Sequence, residues 1–174
     1  MVNALAAERI KSAWSVLETV LDPEVPALSV RELGIVRDVR LAQADGELEI
    51  VLTPTYSGCP ATEAIEEGVL AAIDAAGLGP ARVRLQRAPA WTSDWISEAG
   101  RRKLREYGIA APGAAADDAV TLRFMPRSPA GAAVACPRCD SEDTEQLAAF
   151  GSTACKALFR CRACREPFEH FKPI

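Results

Sequence analysis

Apolar residues recur at helical spacing near the start of the chain. Ile10, Ala13, Trp14, Leu17 and Val20 share one face, so residues 8–21 read as an amphipathic helix closed by the proline of DPEVP. IVRDVRLA then places Ile35, Arg37, Val39 and Leu41 imperfectly on one side, Asp45-Gly46 signals a tight turn, and ELEIVLTPT alternates Leu48, Ile50 and Leu52 inward. The pair predicts a β-hairpin. Residues 60–77 carry Ile65, Val69, Ala72, Ile73 and Ala76 on one helical face, with Gly77 as C-cap. ARVRLQRA sets Val83 and Leu85 against Arg82, Arg84 and Gln86, as a half-buried strand should. A third helix is expected over 93–107, capped by Ser93 with Asp94 in its first turn and stopped at Gly108.

The order α-β-β-α-β predicts an α+β fold, a two-layer domain with an extra helix. It is expected to occupy residues 1–109. Residues 110–133 are rich in Ala, Pro and Gly and read as a linker, with VTLRF at 120–124 a candidate strand.

After the linker the pattern changes. CPRC at 136–139 and CRAC at 161–164 flank strand-like LAAF and ALFR. Two CxxC knuckles at that separation can close a hairpin around one tetrahedral ion, so residues 134–174 read as a small zinc ribbon with Cys136, Cys139, Cys161 and Cys164 as ligands. A rubredoxin-like iron site would use the same four thiolates. So short a segment has little core of its own, and the metal would supply much of its folding energy. A closed four-cysteine site has no open position for Lewis-acid chemistry, which makes the ribbon a structural staple. His170, the only histidine, reads as a packing or surface residue, and Cys155 in GSTACKA, without a CxxC mate, as a packed residue of the hairpin.

Charge narrows the partners. The chain is −4 overall; residues 1–116 carry 12 basic against 16 acidic residues, and residues 117–174 carry 8 of each. An acidic balance disfavours non-specific nucleic-acid binding. RRKLR at 101–105 runs around several faces of its helix and reads as a solvated surface. The N-terminus lacks the pattern of a secretory signal, and no stretch approaches the roughly 20 apolar residues of a membrane span. A cytoplasmic protein with reduced thiols is expected, so paired cysteines point to metal or redox chemistry.

Cys59 stands apart. In TYSGCPATEA it precedes Pro60, a residue favoured at the first position of a helix, so Cys59 is the expected N-cap. There the helix dipole would favour thiolate. The competing reading is a buried, inert cysteine, and residue chemistry leaves the two level.

DPEVP at 22–26, ELGIV at 32–36 and LTPTYSGCPA at 52–61 resemble the small domain shared by SufT-type and MIP-type iron-sulfur assembly factors. With PAWTSDWISEAGRRKLREYGIA and the terminal cysteine ribbon added, nearly the whole chain resembles the PaaD family (formerly PaaJ), the D subunits of bacterial phenylacetyl-CoA epoxidases. The resemblance implies a place in phenylacetate catabolism, beside subunits that hold a di-iron centre and an iron-sulfur reductase. It implies help in assembling metal centres rather than binding of the thioester. The family's motif positions fall on Asp22, Glu24, Thr55 and Cys59, and on the four ribbon cysteines. One soft and one or two hard ligands would hold Fe(II) or a cluster weakly enough to release it. The residues form no complete catalytic constellation, which favours an accessory factor over an enzyme. A thiol redox enzyme using Cys59 or a CxxC pair, and a non-catalytic zinc-ribbon adaptor, are the competing readings.

Overall fold

The computed structural model describes residues 2–42, 46–56, 58–113 and 134–174. The chain forms two compact units, residues 1–100 and 101–174. The candidate VTLRF strand and the linker from residue 114 onward lie outside the described residues, as does Asp45 of the expected turn.

The first unit is the α+β layer pair that the periodicity predicts. Helix α1 (Val2–Leu17) precedes strands β1 (Val36–Leu41) and β2 (Leu48–Leu52), then helix α2 (Thr62–Ala75) and strand β3 (Ala81–Leu85). β2 is central, antiparallel to β1 and parallel to β3. α1 and α2 pack together and on the strands, burying Ala13, Leu17, Ile65, Val69 and Ile73. β2 is buried along its whole length. Its Leu48, Ile50 and Leu52 share one side, while Glu49 on the other side accepts hydrogen bonds from Arg40 and Arg82, and from Arg84 at 3.2 Å. The Arg40 guanidinium, joined by Arg82, holds the Glu49 carboxyl below its usual range. Arg9 of α1 donates to the backbone carbonyls of Gly46, Leu78 and Pro80, tying the helix to two loops.

DPEVP and the ELG segment form a folded loop, not a passive connection. Asp22 Oδ1 accepts the backbone N–H groups of Glu24 and Val25, each at 2.8 Å, a turn that buries the carboxylate. Ser29 and Glu32 exchange reciprocal backbone bonds, a capping box over one turn.

PAWTSDW then clamps this loop. Trp91 Nε1 donates to the Leu33 carbonyl at 3.0 Å, and the Arg37 guanidinium lies 3.4 Å from the Trp95 ring centroid. Gly34 has φ +71°, and a Cβ there would come within 2.5 Å of the Trp95 carbonyl oxygen. Gly34→Ala is therefore expected to destabilise by about 2–4 kcal/mol, combining left-handed strain with overpacking against backbone. Urea titration measures it; a loss under about 0.5 kcal/mol would show that the loop yields freely.

Helix 93–107 is not continuous. Thr92 caps a single 3-10 turn, Ser93–Trp95, and the chain restarts as α3 (Glu98–Tyr107), where the Gly100 N–H donates to Ser97 Oγ. Ser93 is fully buried and is not the cap.

In the second unit β4 (Ile109–Ala110), β5 (Thr144–Ala148), β6 (Lys156–Cys161) and β7 (Pro167–Phe171) form a sheet of order β4-β7-β6-β5. ALFR lies in β6 as expected, but the other hairpin arm is TEQLA, of which LAAF supplies only the end. Lys156 is buried and paired with Glu169 at 2.8 Å.

Candidate functional site

Two constellations carry chemistry. In the second unit the two knuckles repeat one backbone design. Cys136 N–H donates to the Ser141 carbonyl and Cys161 N–H to that of Glu166, both at 3.0 Å. Asp140 and Arg165, each directly after a knuckle, adopt left-handed φ of 61° and 68°. These turns bring Cys136, Cys139, Cys161 and Cys164 together with all four sulfurs within 4.8 Å of one another. Cys136 and Cys164 are 3.8 Å apart, Cys139 and Cys161 3.5 Å. A tetrahedral ion with metal–sulfur bonds of about 2.3 Å requires sulfurs about 3.8 Å apart. The four thiols fit such an ion.

Their proton affinities show the same crowding. At Cys139 the Ser141 amide favours thiolate, but the Cys161 thiol, burial and the remaining sulfurs outweigh it and push the group up to about 12. Cys161, stabilised first by the Cys164 backbone N–H, falls to about 7. Four neighbouring thiolates need a cation. Cys155 is not part of this group: it is buried, with its sulfur 3.0 Å from Thr153 Oγ1. His170 is half-buried and meets the Phe159 ring edge-on, in keeping with a packing role.

The second constellation surrounds Cys59. β2 ends at Leu52, Thr53 N–H bonds the Ile35 carbonyl, and the chain turns back before α2. Cys59 is not the N-cap. Its carbonyl accepts both the N–H and the Oγ1 of Thr62, closing a turn over 59–62, so the helix begins at Thr62 with Ala61 before it. Gly58 is not forced by φ either, and a Cβ there would meet only the Tyr56 ring at 3.9 Å.

The consequence for the thiol reverses the expectation from the helix dipole. Burial pushes the Cys59 thiol up; the Ala61 N–H opposes this, the Glu24 and Asp22 carboxylates add to it, and Thr62 opposes weakly. The structure thus brings Asp22 and Glu24 into electrostatic reach of Cys59, across more than thirty residues of sequence. Thr55, itself buried, lines a narrow cleft with Cys59, Thr62, Ile35 and Ile65. The cleft volume is about 10 Å³, room for a single ion or water but not for an organic substrate. A thiol flanked by two carboxylates and short of space suits a cation that replaces the sulfur's proton.

At pH 7 iodoacetamide is expected to label Cys59 several-fold more slowly than an unperturbed thiol of pKa about 8.5, the difference vanishing in denaturant. Peptide-resolved mass spectrometry reads this. Labelling faster than the free thiol would contradict the carboxylate-flanked geometry.

Both constellations fall in regions that known proteins share. The sequence is 44% identical over 170 residues to an Escherichia coli (strain K12) protein whose name makes it the PaaD-type D subunit of a 1,2-phenylacetyl-CoA epoxidase, covering 98% of this chain and 96% of that one. Residues 126–172 match the family described as the PaaD zinc beta ribbon domain.

The chain belongs to the PaaD family.

In this PaaD-family chain residues 11–84 match the iron-sulfur cluster assembly protein family. An Fe-S protein maturation auxiliary factor of Porphyromonas gingivalis (strain ATCC BAA-308 / W83) is 34% identical over 89 residues, 51% of this chain and 83% of that protein. The fold agrees: the Bacillus anthracis domain of unknown function DUF59 superposes with a TM-score of 0.52 at 24% identity, covering 57% of this chain and 93% of that structure. Among the described residues, no helix is long and apolar enough to cross a membrane.

Proposed function

We propose that this protein is the accessory PaaD component of a phenylacetyl-CoA epoxidase system, and that it assists assembly of the di-iron or iron-sulfur centres of its partner subunits through Cys59. The observation that carries this reading is the placement of the Asp22 and Glu24 carboxylates beside the Cys59 thiol in an iron-sulfur-assembly domain. Iron, or a cluster, is here the cargo. Cys59 supplies one soft ligand by giving up its proton. Glu24 and Asp22 supply negative charge, although one Asp22 oxygen is already engaged by two backbone amides. Thr55 and Thr62 bound the cleft. A site with so few strong ligands binds weakly, which suits a carrier that must release.

Cys136, Cys139, Cys161 and Cys164 hold the resident ion, which is zinc in this reading. Its chemistry is structural, because four thiolates leave no open position. A thiol redox role is less well supported. Cys59 is held protonated, and both CxxC pairs share one cluster of sulfurs. The adaptor reading differs in one outcome, indifference to Cys59. Complementing a strain that lacks this protein tests it: wild type is expected to restore epoxidase activity, and Cys59→Ser to restore little although expressed and zinc-loaded. Full restoration by Cys59→Ser would leave the adaptor.

A further inference from the structure

RRKLR, a solvated helix face by sequence pattern, forms one wall of a groove in the second unit. The groove has a volume of about 960 Å³. Arg101, Arg102 and Arg105 of α3 stand on one side and Lys172 on another, and no carboxylate is among the lining residues. The floor is one face of the sheet. Ala157 pairs with His170 across β6 and β7, Gln146 with Phe159 across β5 and β6, and all four side chains line the groove. Ala157 is buried, whereas Phe159 and His170 are only half-buried, leaving a partly covered aromatic surface.

The cations are held in place rather than floating. Arg101 donates to the Pro112 carbonyl at 2.6 Å, Arg105 pairs with Asp140, and Lys172 sits over the Phe150 ring at 4.4 Å. Burial holds the His170 imidazole below its usual pKa, so the positive charge at neutral pH comes from the arginines and lysine. The charge is also regional. Residues 101–174 carry 12 basic against 9 acidic residues, or +3, whereas residues 1–100 carry 8 against 15, or −7. This basic concave surface thus lies on the basic unit of an acidic protein.

We propose that this groove docks an acidic amphipathic segment of a partner protein, its carboxylates on Arg101, Arg102, Arg105 and Lys172 and its apolar side chains on the Phe159–His170 floor. Charge complementarity selects that occupant. A basic segment is repelled by the cationic walls, and a fully apolar one leaves the cations without counter-charge. The groove lies wholly within residues 101–174 and contains neither Cys59 nor a metal ligand, so this proposal stands or falls separately from the maturation role.

Fluorescence anisotropy on the full-length, zinc-loaded protein tests it. The probe is a labelled synthetic peptide of about twelve alternating Glu and Leu residues, compared with its Lys-Leu counterpart and with inorganic tripolyphosphate as a small anion. Saturable binding of the Glu-Leu peptide is expected, weakening as salt rises from about 50 to about 300 mM. Arg102→Glu combined with Lys172→Glu is expected to weaken it at least about tenfold. Arg87→Glu, in the first unit, should leave it unchanged, and retained zinc and circular dichroism show that the double variant is folded. No binding, equal binding of the Lys-Leu peptide, or an unaffected double variant would overturn the proposal. So would displacement of the peptide by micromolar tripolyphosphate, which would make the groove a small-anion site.

Discussion

Replacing Cys136 and Cys161 together by serine is expected to empty the ribbon of metal and unfold residues 134–174 outright. Those two sulfurs are buried members of the small core that they form with Ala110 and Phe168. Removing them takes away both the ligands and half of that core. Structural zinc bound by four thiolates contributes about 10–16 kcal/mol, more than so small a hydrophobic cluster could replace. Hydrogen exchange should show β5, β6 and β7 unprotected, while β1, β2 and β3 keep their protection. Elemental analysis should fall from about one zinc per chain to none. Acid has the same direction of effect. Cys139 without a cation holds its proton up to about 12, so metal binding must displace protons, and lowering the pH favours release. A double variant that retains stoichiometric metal would refute the four-ligand assignment.

Cys59→Ser is expected to have the second large effect, on iron rather than on folding. The cleft is narrow and the substitution nearly isosteric, so the fold and the ribbon zinc should survive. Fe(II) affinity at the first unit should fall at least about tenfold, because a hydroxyl is a far poorer ligand than a thiolate. Wild-type binding should also strengthen with pH. The folded protein raises the Cys59 pKa, so the thiol is protonated at neutral pH and binding must expel one proton. The gain approaches about tenfold per pH unit while the thiol stays protonated. In the absence of metal the sign for stability is opposite. A raised thiol pKa contributes stability that is full below the unfolded value and is lost as pH rises through the folded one. Isothermal titration with Fe(II) under anaerobic conditions at pH 6, 7 and 8 separates the two.

Much of this architecture was legible because it rests on local periodicity. The helical spacing of Ile65, Val69 and Ile73, the alternation through Leu48, Ile50 and Leu52, and the paired CxxC turns each constrain a neighbourhood of a few residues. Errors arose where two local rules competed. Pro60 at a helix start made Cys59 the expected cap, but the Thr62 amide and hydroxyl both take the Cys59 carbonyl, and the helix begins later. Ser93 looked like a cap because it precedes an acidic residue; burial of Ser93 and Ile96 forces a break, and Ser97 caps instead. The charge state of Cys59 could not be read from its own segment at all. It depends on carboxylates of DPEVP that the fold delivers from across the domain. The demand for glycine at position 34 is equally non-local, since it is set by the Trp95 backbone.

The maturation role is tested most directly by the metal content of the partner subunits. Epoxidase subunits are produced with the wild-type protein, with Cys59→Ser, or with neither, then purified and assayed for iron and acid-labile sulfide per chain. The account predicts near-full loading with wild type and depleted iron or clusters with Cys59→Ser, close to the level without the protein, at equal subunit yield. Full loading with Cys59→Ser would contradict it.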